Sequence, residues 1–228
     1  MQQREVVLMN KLDFLLTIPL FTGFTPSELK TLLAFSQPPE KSFQRHNYLL
    51  KQGDPLLGIA ILLAGKVQII KEDILGNREI LSTLAAGDIF AEVFTCAQLA
   101  TSPVSVVALT KGSYLYLAPQ YLTAIGLPLE LRLHLNTNLV RLLAQKALLL
   151  NSKLLLLSQR SLRKKLMFYF TQQTELAGKN TFTLAYSRNE LADFLCVNRS
   201  ALSRELGKMQ AEGLLQFNRN EFSLFPPS

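Results

Sequence analysis

The chain has 228 residues, room for more than one core, and its 48% apolar content excludes a disordered chain. The net charge is +7, and residues 159–228 hold ten Lys/Arg against six Asp/Glu, a balance that suits a polyanionic partner or a solvated basic face. Two distant cysteines, Cys96 and Cys196, exclude a disulfide framework and a four-thiolate iron–sulfur cluster within one chain.

In chain order, the start has no signal-peptide pattern, and the uncharged runs Val93–Thr110 and Gly112–Leu129 are broken by proline and polar residues. A cytoplasmic location away from membranes is therefore expected. Thr25-Pro26-Ser27-Glu28 is a capping box with proline at the first helical position, followed by the apolar face of Leu29, Leu32 and Leu33. From about Pro38 to Leu117 the texture changes. Short apolar runs (Ile59–Leu63, Val67–Ile70, Ile80–Leu84) alternate with turns at Gly53, Gly65, Gly76 and Gly87, which predicts an antiparallel barrel or sandwich.

From Pro128 to Ser158 the pattern turns helical, with no further glycine or proline. Leu133, Asn136, Val140, Leu143, Ala147, Leu150, Leu154 and Leu157 recur at spacings of three and four, a heptad seam. A second stripe, Leu135, Leu139, Leu142 and Leu149, lies beside it. Two stripes need two partners. The reading is that one faces the helix's own barrel and the other a second copy of the chain, with Val140, Leu143, Ala147, Leu150, Leu154 and Leu157 in the dimer interface. A helix fully buried within a monomer is the alternative.

Residues 161–177 read as another helix and Asn180–Leu184 as a short strand. Ser187-Arg188-Asn189-Glu190 is a second capping box, opening a short helix with Leu191, Ala192 and Leu195 inward. Cys196-Val197 takes a turn, and Asn198 is placed to cap the helix that runs from Arg199 to about Glu212. A hairpin follows, turning at Asn218-Arg219-Asn220. Two short helices with a tight turn, flanked by strand and hairpin, describe a winged helix-turn-helix, although a helical hairpin with a solvated face has a similar pattern. The second helix carries Arg199, Ser200, Ser203 and Arg204 in its first turns, where a recognition helix meets base edges. Arginine suits guanine, and serine suits bases or phosphate. Lys208 and Arg219 are placed for phosphate.

Two motifs now combine: Gly87-Asp88-Ile89-Phe90-Ala91-Glu92 and the run from Ser187 to Leu214. Together they resemble the cyclic-AMP receptor protein/FNR (Crp/Fnr) family, over about Pro19 to Leu224. The resemblance implies an α+β chain in three parts. These are a cyclic-nucleotide-binding-type antiparallel β-barrel with N-terminal helices (1–127), a long dimerisation helix (128–158) and a winged helix-turn-helix DNA-binding domain (159–228). It further implies a homodimer on an inverted-repeat operator, RNA polymerase as partner and a small-molecule effector.

The chain also departs from that family. In its nucleotide-binding members a glutamate takes the ribose and an Arg-Ser pair ten residues on takes the cyclic phosphate. Here Glu92 remains, but Ala91 replaces glycine and the Arg-Ser position holds Ser102-Pro103, with neither a charge nor the second N–H. The adenine-facing stretch of the long helix becomes the apolar Ala147, Leu148 and Leu149. A pocket of Glu92, Val93, Phe94, Ser102, Pro103 and Ala147–Leu149 is thus expected to take an effector other than cyclic AMP, or none. Haem is the other reading, with His46, His134, Cys96 or a methionine as axial ligand, and Cys96 is the redox candidate. In the reading helix Arg199 and Arg204 match the receptor protein's two base-reading arginines. Ser200 replaces a glutamate, so the operator should differ from the well-known half-sites.

A ligand-binding regulatory subunit would have no use for the winged helix and would need an intact phosphate pocket. An enzyme is not expected, since the chain has no P-loop, metal-ligand cluster, dinucleotide fingerprint or Ser–His–Asp grouping.

Overall fold

The computed structural model describes residues 11–73, 78–122, 126–184 and 186–225. The chain divides into two compact units, Met1–Ala144 and Gln145–Ser228. The turn read at Gly76 lies outside the described residues.

The first unit opens with helical residues 11–16 (α1), a 3-10 turn at Pro19–Phe21 and helix α2, Pro26–Ser36. The capping box is present: Thr25 Oγ1 accepts from the Glu28 amide at 3.2 Å, and Glu28 Oε2 accepts from the Thr25 amide at 2.7 Å. Among the described residues eight strands follow: β1 Glu40–Phe43, β2 Tyr48–Leu50, β3 Ile59–Ala64, β4 Lys66–Glu72, β5 Arg78–Ala85, β6 Ile89–Phe90, β7 Ser105–Ala108 and β8 Gly112–Leu117. They form two four-stranded antiparallel sheets, ordered β1-β8-β3-β6 and β2-β7-β4-β5. The two sheets are not closed into one cylinder, so the architecture is a jelly-roll-like pair rather than a continuous barrel.

The two-residue period of β3 explains its continuous apolar run. Ile59 and Ile61 join Leu115 and Leu117 in a core with the N-terminal helices. Ala60 and Leu62 join Val67, Val106 and Tyr114 in a second core shared by both sheets. Gly65 shows why one corner needs glycine: its φ is +91°, and a Cβ there would stand 2.7 Å from the Lys111 carbonyl oxygen.

Helix α4, Leu129–Leu157, runs for 29 residues. Leu135, Leu139 and Leu142 are buried in the first unit's core, as the second stripe predicts. Leu149 is not: it is 71% exposed. The long helix's share of the first unit's core ends at Leu142 and Leu143, and Leu149 belongs to the second unit.

In the second unit, helix α5, Leu162–Ala177, is capped by Ser161 Oγ, which accepts from the Lys164 amide at 3.2 Å. Strand β9, Thr181–Thr183, helices α6, Arg188–Phe194, and α7, Arg199–Ala211, and the hairpin β10, Leu215–Asn218, with β11, Glu221–Leu224, complete it. The small sheet is ordered β10-β11-β9. Phe170, Phe182 and Phe222 pack at its centre, with Phe170 and Phe222 centroids 4.8 Å apart. This is a winged helix-turn-helix. Among the described residues no helix is long and apolar enough to cross a membrane.

Candidate functional site

Helix α7 has two faces. Leu202, Leu206 and Met209, at spacings of four and three, are fully buried. Arg199, Ser200, Ser203, Arg204 and Lys208 are all exposed, and Arg219 is exposed in the hairpin turn at φ +52°. One helix face therefore presents two arginines and two serines to solvent from its first turns. Asn198 occupies the N-cap position with extended backbone, but its side chain makes no cap hydrogen bond. The capping expectation fails there; the exposed start of α7 leaves its first amides to water or to an anion.

Several groups that fasten this helix pair were not foreseen. Arg163 of α5 donates through Nε to Glu205 at 2.7 Å and through both terminal nitrogens to Glu212 at 2.6 and 2.8 Å. Its hydrogen bond to Glu212 holds that carboxyl below its ordinary value. Lys165 donates to the Leu195 carbonyl at 3.1 Å, and Lys153 of α4 donates to the Phe194 carbonyl. Lys153 Nζ also lies 3.3 Å from the Phe194 ring centroid. Two ammoniums thus meet the last carbonyls of α6, where the helix dipole favours cations. Partial burial lowers the Lys153 pKa. Arg188 stacks over Phe217 and Phe222 at 4.9 and 4.8 Å and donates to the Arg219 carbonyl at 2.8 Å, joining α6 to the wing. These partners are dozens of residues apart, beyond the reach of any local pattern.

In the sensor unit, Glu92 opens the short helix α3, Glu92–Cys96, and is 3% exposed. Ala91 precedes it in the left-handed region at φ +63°, the conformation that favours glycine. Val93 is exposed and Phe94 half-buried. Ser102 is buried, and its hydroxyl is already engaged: it donates to the Val104 carbonyl at 2.7 Å and accepts from the Val104 amide at 3.3 Å. Pro103 is exposed. Ala147, Leu148 and Leu149 belong to the second unit and are exposed. Thr95 Oγ1, next to these groups in sequence, is buried with no hydrogen-bond partner among the described residues.

The residues read as haem ligands have ordinary surroundings. His134 stacks on Phe24 at 4.6 Å, and His46 sits in a tight turn at φ +67°. Partial burial, and then the Glu92 charge, raise the Cys96 thiol. Among the described residues no group of three or more His, Cys, Asp or Glu side chains could hold a metal ion. On α4, the seam residues Leu133, Val140, Leu150 and Leu154 are each more than half exposed, Ala147 is exposed, and Leu143 and Leu157 are partly buried.

Comparison with known proteins adds to this geometry. Residues 40–125 match the cyclic nucleotide-binding domain family and residues 152–224 the Crp-like helix-turn-helix domain family. The chain is similar to the cyclic AMP receptor protein of Thermus thermophilus, 25% identical over 198 residues, which cover 87% of this chain and 88% of the relative. Among solved structures it is similar to the Thermus thermophilus catabolite activator protein (TM-score 0.53, 23% identity, 91% of this chain and 93% of that one). It is likewise similar to the global regulator CLP of Xanthomonas campestris (TM-score 0.56, 18% identity, 89% and 100%). A domain of cyclic nucleotide-binding type joined to a Crp-like helix-turn-helix defines a DNA-binding transcription regulator. The chain belongs to the Crp/Fnr family.

Proposed function

We propose that the chain acts as a homodimer that reads an inverted-repeat operator through α7 and answers to an effector other than a cyclic nucleotide. The observation that carries the DNA-reading part is the exposed face of Arg199, Ser200, Ser203 and Arg204 over the buried Leu202, Leu206 and Met209. Arginine forks fit the O6 and N7 of guanine, and Lys208 and Arg219 stand where phosphate contacts would give a salt-dependent, sequence-independent share of affinity. Dimerisation is supported by the exposed leucine and valine seam of α4, a row of apolar side chains that a second copy would cover. RNA polymerase is the further partner that membership of the family suggests.

The name of the Thermus relative makes cyclic AMP the first compound to test, and that of the Xanthomonas regulator adds cyclic di-GMP. Against the first stand two features. The buried Ser102 hydroxyl is bound to Val104, and Pro103 has no N–H to offer a phosphate. A cyclic phosphate without a charge-assisted partner forfeits several kcal/mol, about a thousandfold in affinity. Calorimetry on the purified protein should therefore detect no micromolar cyclic-AMP binding; a micromolar affinity refutes the reading. DNA recognition is tested by selecting sites from random DNA, where recovery of no common motif would refute operator reading by α7.

A further inference from the structure

The first unit has a concavity formed around β1, β2 and β8 and lined by no residue of the Glu92–Pro103 segment. Its volume is about 430 Å³, within the range of small-molecule sites. Phe43 and Tyr114, each 5% exposed, form an aromatic floor with centroids 6.0 Å apart. Lys41, His46 and Lys51 also line it, and no lining residue is acidic.

The two ammoniums rest on aromatic faces instead of on carboxylates. Lys41 Nζ lies 5.4 Å from the Tyr116 ring centroid and Lys51 Nζ 5.5 Å from that of Tyr48. The carboxylates adjacent in sequence are engaged elsewhere: Glu40 holds Lys11 at 2.6 Å, and Asp54 accepts from the Lys51 backbone amide at 2.9 Å. Among the described residues neither Lys41 nor Lys51 has a side-chain hydrogen bond or ion pair to a carboxylate. Arg78 donates to the Tyr48 hydroxyl at 2.7 Å but is itself paired with Glu72 at 2.7 Å, so it adds no uncompensated charge beside that ring.

Two surface lysines alone would be solvated cations. Here they stand with an imidazole at a concave, aromatic-floored cleft whose lining contains no carboxylate. We propose that this cleft binds a small aromatic anion, its ring against Phe43 and Tyr114 and its carboxylate or phosphate between Lys41 and Lys51. The site shares no residue with the Glu92–Pro103 segment and does not depend on how that segment is used.

The test is calorimetric titration of the full-length protein with salicylate, indole-3-carboxylate and phenyl phosphate, and with neutral salicylamide. At least one anion should bind below about 1 mM, and salicylamide about tenfold more weakly than salicylate. Lys41→Met and Lys51→Met should each weaken binding about five- to tenfold, whereas Lys41→Arg retains it and separates lost charge from lost fold. Val93→Asp, in the Glu92 segment, should leave it unchanged. The proposal is overturned if none of the three anions binds in that range, if salicylamide binds as well as salicylate, if both methionine variants bind normally, or if Val93→Asp abolishes binding.

Discussion

Arg204 stands exposed on α7, four residues after Ser200 and on the same face. Replacing it with alanine should cost about 1–3 kcal/mol per half-site and relax preference at one base pair. Site selection from random DNA with both proteins measures this, and two equally sharp identical motifs would remove Arg204 from base reading. Two sensor residues make stability predictions. Ala91 holds φ +63°, so Ala91→Gly should raise stability by about 1 kcal/mol, seen as a higher thermal midpoint. Thr95 buries an unpartnered hydroxyl, so the isosteric Thr95→Val should be neutral or stabilising by about 1 kcal/mol; a clear loss in denaturant titration would mean that the hydroxyl has a partner in solution. The exposure of the residues proposed to read DNA was legible in the sequence because helical period alone separates them from Leu202, Leu206 and Met209. The strain at Ala91 was legible only as a departure from a motif, and the Ser102–Val104 hydrogen bonds were not legible at all.

Elements bounded by local chemistry followed the sequence closely. Both capping boxes formed, since a Ser/Thr and a Glu three residues on need only one turn of helix to meet. Asn198 shows the limit of that rule: it took the N-cap backbone position without the side-chain bond. What the sequence could not display is how α6 and α7 are fastened, because Arg163, Lys153 and Lys165 find their partners thirty or more residues away. This fastening has a pH signature. Glu190 is lowered by the Ser187 backbone amide and Glu212 by Arg163, both from an ordinary value of 4.5. With folded values below unfolded ones, the unfolded chain binds more protons as pH falls. The stabilisation is thus complete above about 4.5 and lost as pH drops through the folded values. Urea midpoints at about pH 6 and about pH 3.5 should differ, and Arg163→Met should narrow the gap. An unchanged gap in that variant would assign the acid lability to other carboxylates.

At the scale of the whole molecule, the order of sensor, long helix and winged head was readable because each part has its own period: two, then three to four, then short capped helices. Alternation and turns left barrel and sandwich open, because whether two sheets close depends on strand register and edge pairing, which no local pattern contains; the two sheets form an unclosed, jelly-roll-like pair. Leu149 likewise shared its stripe with buried leucines, yet the core it was assigned to ends at Leu143. The exposed seam of α4 makes the largest-scale prediction. Leu150→Lys with Leu154→Lys should yield monomers that no longer bind an operator, and light scattering of the unaltered protein at micromolar concentration should give twice the chain mass. A monomeric mass would end that reading.

One feature of α4 bears on how such regulators are recombined. Leu156 is 2% exposed within the core of the winged head, and Lys153, a turn earlier, holds the end of α6. The head thus borrows the last turns of the long helix as its own structural part. A hybrid regulator joined after Ser158 would leave that core open beneath Tyr169 and Phe194, whereas a junction upstream of Lys153 would transplant the reading head with its foundation intact.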